Sequence, residues 1–119
     1  MANVIEEKSF DFAVRIVNLC NHIRTNKNEM VMSNQLLRSG TSIGANVFEA
    51  EKAQTTPDFY TKMTIALKEA NETRYWIKLL HRTNYLDDKE FDSIYKDIEE
   101  ICSILVAITK TTRENLNKK

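Results

Sequence analysis

Residues 59–80 carry the clearest apolar pattern in the chain, a row that alternates in steps of four and three. Its members are Phe59, Met63, Ala66, Ala70, Thr73, Ile77 and Leu80. Only an α-helix places such a heptad on one face. Pro57 fits the first turn, where no backbone N–H is needed, and Thr56 is the predicted N-cap. The pattern predicts helix 3 over about 57–84.

Helices 1 and 4 follow from the same period. In the segment 6–24 the predicted core row is Phe10, Ala13, Val17 and Cys20, flanked by Ile16 and Ile23. In the segment 87–112 the apolar row is Phe91, Ile94, Ile98, Ile101, Leu105 and Ile108. Asp87 and Glu90 are spaced to form a capping box at the start of helix 4. The pattern fades by Thr112, so we expect the residues beyond it to fray.

Helix 2, predicted at about 30–52, contains both glycines of the chain. Gly40 and Gly44 are four residues apart and therefore share one face of a helix. Each glycine destabilises a helix by about 1 kcal/mol relative to alanine. The compensation we expect is the close approach of another backbone at this face. The alternative is a helix broken into two around Ser39–Thr41.

Together the four segments predict one all-α domain over 1–119, a single antiparallel up-down-up-down four-helix bundle. A chain of this length buries enough surface to fold without a disulfide or a metal. Cys20 and Cys102 lie on apolar rows of different helices, which favours buried thiols in a cytoplasmic protein over a disulfide. No apolar run reaches the length of a membrane span, and the amino terminus shows no secretory signal.

The charges balance at 17 basic and 17 acidic side chains, so no overall field draws the protein toward nucleic acid. Helix 3 nevertheless carries a basic row, Arg74, Lys78 and Arg82, with Tyr75 and Tyr85 close in sequence. Cations interleaved with aromatic rings are a candidate contact for phosphates and stacked bases. The alternative is that these are ordinary exposed cations, which the acidic segment 87–100 neutralises.

No residue pattern indicates catalysis or a cofactor. Neither His22 nor His81 has a glutamate three residues before it, as the di-metal sites of helix bundles require. Both cysteines occupy predicted core positions, where a nucleophile would lack access. The sequence therefore predicts a protein that is not an enzyme.

Two polar rows accompany the apolar ones. On helix 2 the row is Arg38, Ser42, Asn46 and Glu49, and on helix 3 it is Glu69, Glu72 and Trp76. One interpretation is a pair of solvated faces. A second is a polar seam at a subunit contact, where Arg38 pairs with Glu69 or Glu72 and fixes register. A third is a small-molecule or metal-binding bundle that uses the carboxylates of Glu49, Glu69 and Glu72.

The strings QLLRSGTSIGANVFEA and IALKEANETRYWIKLL resemble the signature of a known family. Its members are small four-helix bundle proteins first noticed in intervening sequences of bacterial large-subunit ribosomal RNA genes. The resemblance runs from Ser9–Phe10 to Tyr85–Phe91, and its most specific part combines Arg38–Asn46 with Glu69–Trp76. It implies a monomer that assembles into a ring-shaped homopentamer, with no established enzymatic activity. It also implies kinship with the accessory variability proteins of diversity-generating retroelements, which are basic pentamers that engage nucleic acid.

On this resemblance we expect a cytoplasmic, homo-oligomeric scaffold of uncharacterised role, with nucleic acid or a nucleoprotein as partner. The residues expected to serve packing and assembly are Arg38, Gly40, Gly44, Asn46, Glu49, Glu69, Glu72 and Trp76. The candidate nucleic-acid contacts are Arg74, Lys78 and Arg82. The neutral chain differs from the basic retroelement proteins, and affinity for a phosphate backbone scales with the cations presented. A ring would present the basic row, or the lysine-rich tail, five times.

Overall fold

The computed structural model describes residues 2–118, with side chains from Val4 onward. It contains four α-helices: α1 (Ala2–Lys27), α2 (Val31–Ala50), α3 (Thr56–Arg82) and α4 (Asp88–Leu116). The helices pack as sequential neighbours, and α1 meets α4 to close a bundle whose Cα atoms extend over 53 × 21 × 21 Å. The predicted all-α four-helix bundle is confirmed. No helix of the described part of the chain is both long and apolar enough to cross a membrane.

Neighbouring helices run in opposite directions, as their cross-links show. Between α2 and α3, Arg38 pairs with Glu69, whereas Glu49, further along α2, pairs with the earlier residue Lys62 of α3. Between α1 and α4, Lys8 pairs with Glu100 and Arg15 with Asp97. In both seams the residue number falls along one helix as it rises along the other, which is the pattern of antiparallel neighbours.

The core face of α1 differs from the predicted one. The buried row is Ile5, Ser9, Phe12, Ile16, Cys20 and Ile23. Phe10 is 67% exposed and Val17 is 40% exposed, so the predicted core row of helix 1 was wrong for both. Two apolar rows with the same period run along this helix, and period alone does not say which one turns inward. The row that turns inward spans most of the helix and contains the small residue Ser9, whose backbone lies against Gly44 of α2.

The close packing of α1 on α2 depends on the two glycines of α2. A Cβ on Gly40 would come within 2.9 Å of Ile16 Cγ2, and a Cβ on Gly44 within 3.2 Å of the backbone oxygen of Ser9. Both distances are shorter than ordinary van der Waals contact, so the glycines let α1 approach α2 closely, as expected. Helix α2 is continuous through both of them. The alternative of a break around 39–41 is therefore wrong.

The helix ends are fixed mainly by side-chain caps. Asp87 and Glu90 form the predicted capping box, with N–H···O distances of 2.7 and 2.9 Å. The N-cap of α3 is Thr55 rather than the predicted Thr56, since Thr55 Oγ1 accepts the backbone N–H of Asp58. Pro57 lies in the first turn, where it displaces no hydrogen bond.

The sequence analysis missed the side chain that caps the start of α2 and placed the end of α4 too early. The Glu29 carboxylate accepts the backbone N–H groups of Val31, Met32 and Ser33 at 2.8–3.1 Å, which places an anion at the positive end of α2. Helix α4 continues to Leu116, so the predicted fraying beyond 112 was wrong. Thr112 is buried, and its hydroxyl donates to the carbonyl oxygen of Ile108. No glycine or proline follows to break the helix.

The Gly44→Leu variant tests the close approach of α1 and α2. The new Cβ would lie against the backbone of Ser9, which cannot rotate away, so α1 must move outward. We expect urea unfolding to show a loss of about 1–3 kcal/mol in the free energy of unfolding. Ala45→Leu is the matched control, because Ala45 is the exposed neighbour on the same helix. Equal stability of both variants would contradict the proposed constraint.

Candidate functional site

The two blocks that carry the family resemblance meet at the seam between α2 and α3. Arg38 donates from Nη1 to Glu69 Oε1 at 3.2 Å and from Nη2 to Glu72 Oε2. Trp76 Nε1 donates to the same Glu72 oxygen at 2.9 Å. We call Arg38, Glu69, Glu72 and Trp76 the arginine cluster. The predicted pairing of Arg38 thus occurs within one chain; its role in a subunit contact stays a prediction.

Hydrogen bonds in the arginine cluster stabilise the ionised forms of both Glu72 and Arg38. Hydrogen bonds from Trp76 and Arg38 hold the pKa of Glu72 below its usual value. The hydrogen bond to Glu72 raises the pKa of Arg38 above its already high value. The Arg38 side chain is 49% exposed, so each ion pair is worth only about 0–1 kcal/mol. The main effect of the cluster is geometric, because one guanidinium held by carboxylates from successive turns fixes how α2 and α3 face each other.

A buried hydroxyl pair lies beneath the arginine cluster. Ser39 Oγ and Thr73 Oγ1 are 3.0 Å apart, and both residues are fully buried. Buried polar groups require such partners, since each unpaired one costs roughly 1–3 kcal/mol. The sequence analysis treated Thr73 only as a member of an apolar row. The available signal was a small hydroxyl residue on the inward row of each of two sequential helices.

The carboxylates proposed for metal or small-molecule binding are bound to cations of the protein itself. Glu49 pairs with Lys62 at 2.6 Å. Glu69 and Glu72 pair with Arg38 instead, at another position along the seam between α2 and α3. Over residues 2–118, no three His, Cys, Asp or Glu side chains stand together as a metal site would require. The fourth member of the α2 row, Asn46, donates to the carbonyl oxygen of Ser42 at 2.8 Å. This arrangement is a structural seam and does not favour the ligand-binding interpretation.

The cysteines and histidines also have structural surroundings. Burial raises the pKa of Cys20 to about 11 and shifts the pKa of Cys102 in the same direction, so neither thiol is a ready nucleophile at neutral pH. Both are free and buried, as predicted. His81 stacks on Phe91 with ring centroids 4.1 Å apart, and its Nε2 lies 2.8 Å from Asp88 Oδ1. These contacts tie the end of α3 to the start of α4.

The basic row of α3 is partly neutralised. Arg74 pairs with Glu99 at 2.8 Å, as the alternative interpretation foresaw, and Lys78 Nζ lies 5.9 Å from the ring centroid of Tyr95. The other cations lie in a line of exposed residues on α3, which we call the outer face of α3. Its members are Lys68, Asn71, Tyr75, Lys78 and Arg82. Among the described residues, no ion pair involves Lys68, Lys78 or Arg82. Sequence reasoning did not assign Lys68 to this row.

An exposed apolar surface lies on the side formed by α1 and α2. Its members are Phe10, Val14, Val17 and Phe48, each at least 40% exposed. We call these residues the α1–α2 apolar face. Single exposed apolar residues are ordinary, but a group of them on neighbouring helices is a candidate interaction surface.

The fold and these surfaces define the class: a small all-α bundle whose polar clusters serve structure. The model of the 23S rRNA-intervening sequence protein family matches residues 2–107, and the chain belongs to this family. It is also similar to the 1.70 Å crystal structure of a protein with unknown function from the S23 ribosomal protein family of Bacteroides thetaiotaomicron VPI-5482. The two chains are 54% identical with a TM-score of 0.90, over 92% of this chain and 97% of that chain. No curated protein matches the chain.

The family resemblance seen in the sequence is confirmed, whereas the kinship with retroelement accessory proteins stays a prediction. The similar protein of known structure is itself described as having unknown function. Membership in the family therefore supplies the architecture and leaves the role to be inferred from the surfaces.

The Glu72→Gln variant tests the electrostatics of the arginine cluster. The lowered pKa means that the ionised carboxylate contributes stability above the ordinary value of 4.5, and that this contribution is lost as pH falls through the lowered one. We expect the variant to be about 1 kcal/mol less stable than wild type at pH 7. The difference should shrink steadily below pH 4.5.

Chemical denaturation across this pH range measures that difference. Glu100→Gln is the control, because Glu100 forms a more exposed pair with Lys8 and its loss should matter less. A stability difference for Glu72→Gln that does not change with pH would show that the carboxylate gains nothing from its charge.

Proposed function

We propose that this protein is a non-enzymatic scaffold of the cytoplasm that assembles into a homopentameric ring and acts by binding nucleic acid or a nucleoprotein. The observation that carries the proposal is the α1–α2 apolar face. Helix α1 is apolar on two sides, and one chain covers only the inner side. A helix with apolar residues on opposite sides is suited to burial on both. The number five comes from the family resemblance.

The absence of a catalytic role is supported by where the reactive side chains lie. Carboxylates of α2 and α3 face Arg38 and Lys62, and the thiols are buried with raised pKa values. A catalytic site would instead gather titratable groups with perturbed pKa values in a cleft. Free buried thiols suit the reducing cytoplasm.

The outer face of α3 is the surface that suits nucleic acid. It combines three cations with Tyr75, whose side chain is 58% exposed and available for stacking on a base. The chain has no net charge, so this binding must come from the local surface. Assembly into a ring would multiply that surface by the number of copies.

Light scattering tests the assembly. We expect a mass of five times the 13.8 kDa chain, unchanged on tenfold dilution. A monomer at all concentrations would refute the scaffold proposal, and the exposed apolar residues of α1 would then need another partner.

The double variant Lys78→Gln, Arg82→Gln tests the nucleic-acid contact. We expect wild type to bind a short single-stranded RNA at low salt and to release it as salt rises, because the contact displaces counterions. Losing two phosphate contacts should lower the slope of log affinity against log salt by about 1.4. The matched control is Lys89→Gln, Lys96→Gln, which removes equal charge from exposed positions of α4.

Two results would overturn this part of the proposal. Equal effects of both double variants would show that net charge matters and the outer face of α3 does not. No binding at any salt concentration, together with an intact oligomer, would make a protein the better candidate for the partner.

A further inference from the structure

An open groove of about 320 Å³ lies between α3 and α4, beside the outer face of α3. Its lining residues are Asn71 and Arg74 of α3 and Glu99, Cys102, Ser103 and Val106 of α4. The carboxylate of Glu99 is already bound, because it pairs with Arg74 at 2.8 Å. Asn71 and Ser103 are exposed, so the groove offers an amide and a hydroxyl for hydrogen bonds to a ligand.

The side of α4 that faces this groove carries cations further along the helix. After Glu99, Ser103 and Val106, the same side continues with Lys110 and Arg113, at steps of four and three residues. Both of these cations are exposed. Among residues 2–118, neither takes part in an ion pair. The groove therefore has cations on both helices that form it.

The antiparallel packing of α3 and α4 sets the order of these cations. The ion pairs between the two helices show that the residue number falls along α3 as it rises along α4. Since Arg74 lies beside Glu99, Arg113 lies beside residue 60 of α3. From there to Arg82 the cations of the two helices follow one another over about 33 Å, at a rise of 1.5 Å per residue.

The side of the bundle formed by α3 and α4 is basic although the whole chain is neutral. The outer face of α3 contains cations and no acid. On α4, Asp92 lies one turn before Lys96 and offsets its charge. Lys110 and Arg113 have one acid close in sequence, Glu114. The excess of positive charge lies toward the two ends of the groove, an arrangement that suits an extended polyanion.

The length and the straightness of this row suit a single strand rather than a duplex. Each strand of a duplex winds once around the axis in about 34 Å, so it would meet a straight row only where it crosses that row. A single strand can follow the row along its whole length. Tyr75 lies between the two ends with its side chain 58% exposed, and a base can stack on it only when that base is not already stacked within a duplex.

From these observations we infer that a single strand of nucleic acid lies along the groove between α3 and α4, with its phosphates on the cations of both helices and one base stacked on Tyr75. The inference rests on the proposed binding of nucleic acid, and it names the kind of nucleic acid and its path. It extends the contact from the outer face of α3 to Lys110 and Arg113 of α4. Asn71 and Ser103 lie in the middle of the path, within the groove.

The Tyr75→Ala variant tests the stacking. We expect wild type to bind a short single-stranded RNA more tightly than a duplex of the same sequence, as measured by fluorescence anisotropy. Loss of the ring should weaken single-strand binding by roughly five- to 100-fold and leave duplex binding unchanged. Tyr75→Phe is the matched control, because it keeps the ring and should keep the wild-type affinity. Circular dichroism and urea unfolding check that both variants fold.

The double variant Lys110→Gln, Arg113→Gln tests the path along α4. We expect it to lower the slope of log affinity against log salt by about 1.4 for single-stranded RNA, because two phosphate contacts are lost. The matched control is Lys27→Gln, Lys52→Gln, which removes equal charge from exposed positions at the end of α1 and just beyond α2. The control should keep the wild-type slope.

Three results would overturn the inference and leave the proposed binding of nucleic acid intact. They are equal affinity for the single strand and the duplex, wild-type affinity of Tyr75→Ala for the single strand, and equal slopes for the two double variants. If wild type bound neither RNA nor DNA at any salt concentration, the inference and the proposed binding of nucleic acid would both be refuted.

Discussion

The close approach of α1 to α2 at Gly40 and Gly44 is the constraint on which the rest of the structure depends. Because these positions offer no side chain, α1 can pack tightly only by presenting Ile16 to one and the backbone of Ser9 to the other. This choice fixes the rotation of α1. Phe12 turns into the core and Phe10 turns out of it. The same two glycines therefore determine the inner packing and the exposed apolar face.

This dependence explains which parts of the fold could be predicted from the sequence. The α3 row and the capping box of α4 are local patterns, and both are present in the structure. The inward face of α1 is set by tertiary contacts, since two apolar rows compete for it. The Ser39–Thr73 hydroxyl pair was missed for the same reason, because its members lie 34 positions apart and only packing joins them. Local patterns predicted where the helices are, and long-range contacts decide how they are turned.

The pairing of Arg38 with Glu69 and Glu72 was predicted from the sequence, but as part of a subunit contact. Within one chain, Glu69, Glu72 and Trp76 gather around Arg38, and their hydrogen bonds join α2 to α3. Other ion pairs link two further seams in the same way: Lys8 with Glu100 joins α1 to α4, and Arg74 with Glu99 joins α3 to α4. These pairs account for much of the charge balance. Neutral net charge is thus compatible with a locally basic surface, because the paired charges lie along the seams and the cations of the outer face of α3 do not.

The packing of helix α1 leaves much of its apolar surface exposed within a single chain. It packs closely on α2 but meets α4 more sparsely, and Arg15 spans that side to reach Asp97 and Ser93. An apolar depression lined by Ile104, Ala107 and Ile108 lies on this side, and Phe10 and Phe48 project from the α2 side. Apolar burial contributes roughly 25 cal/mol per Å², so leaving two phenylalanines in water forfeits stability that inward positions would have gained. Covering these side chains in the proposed assembly would recover this stability, so the rotation that packs α1 onto α2 also creates the surface on which the proposed assembly depends.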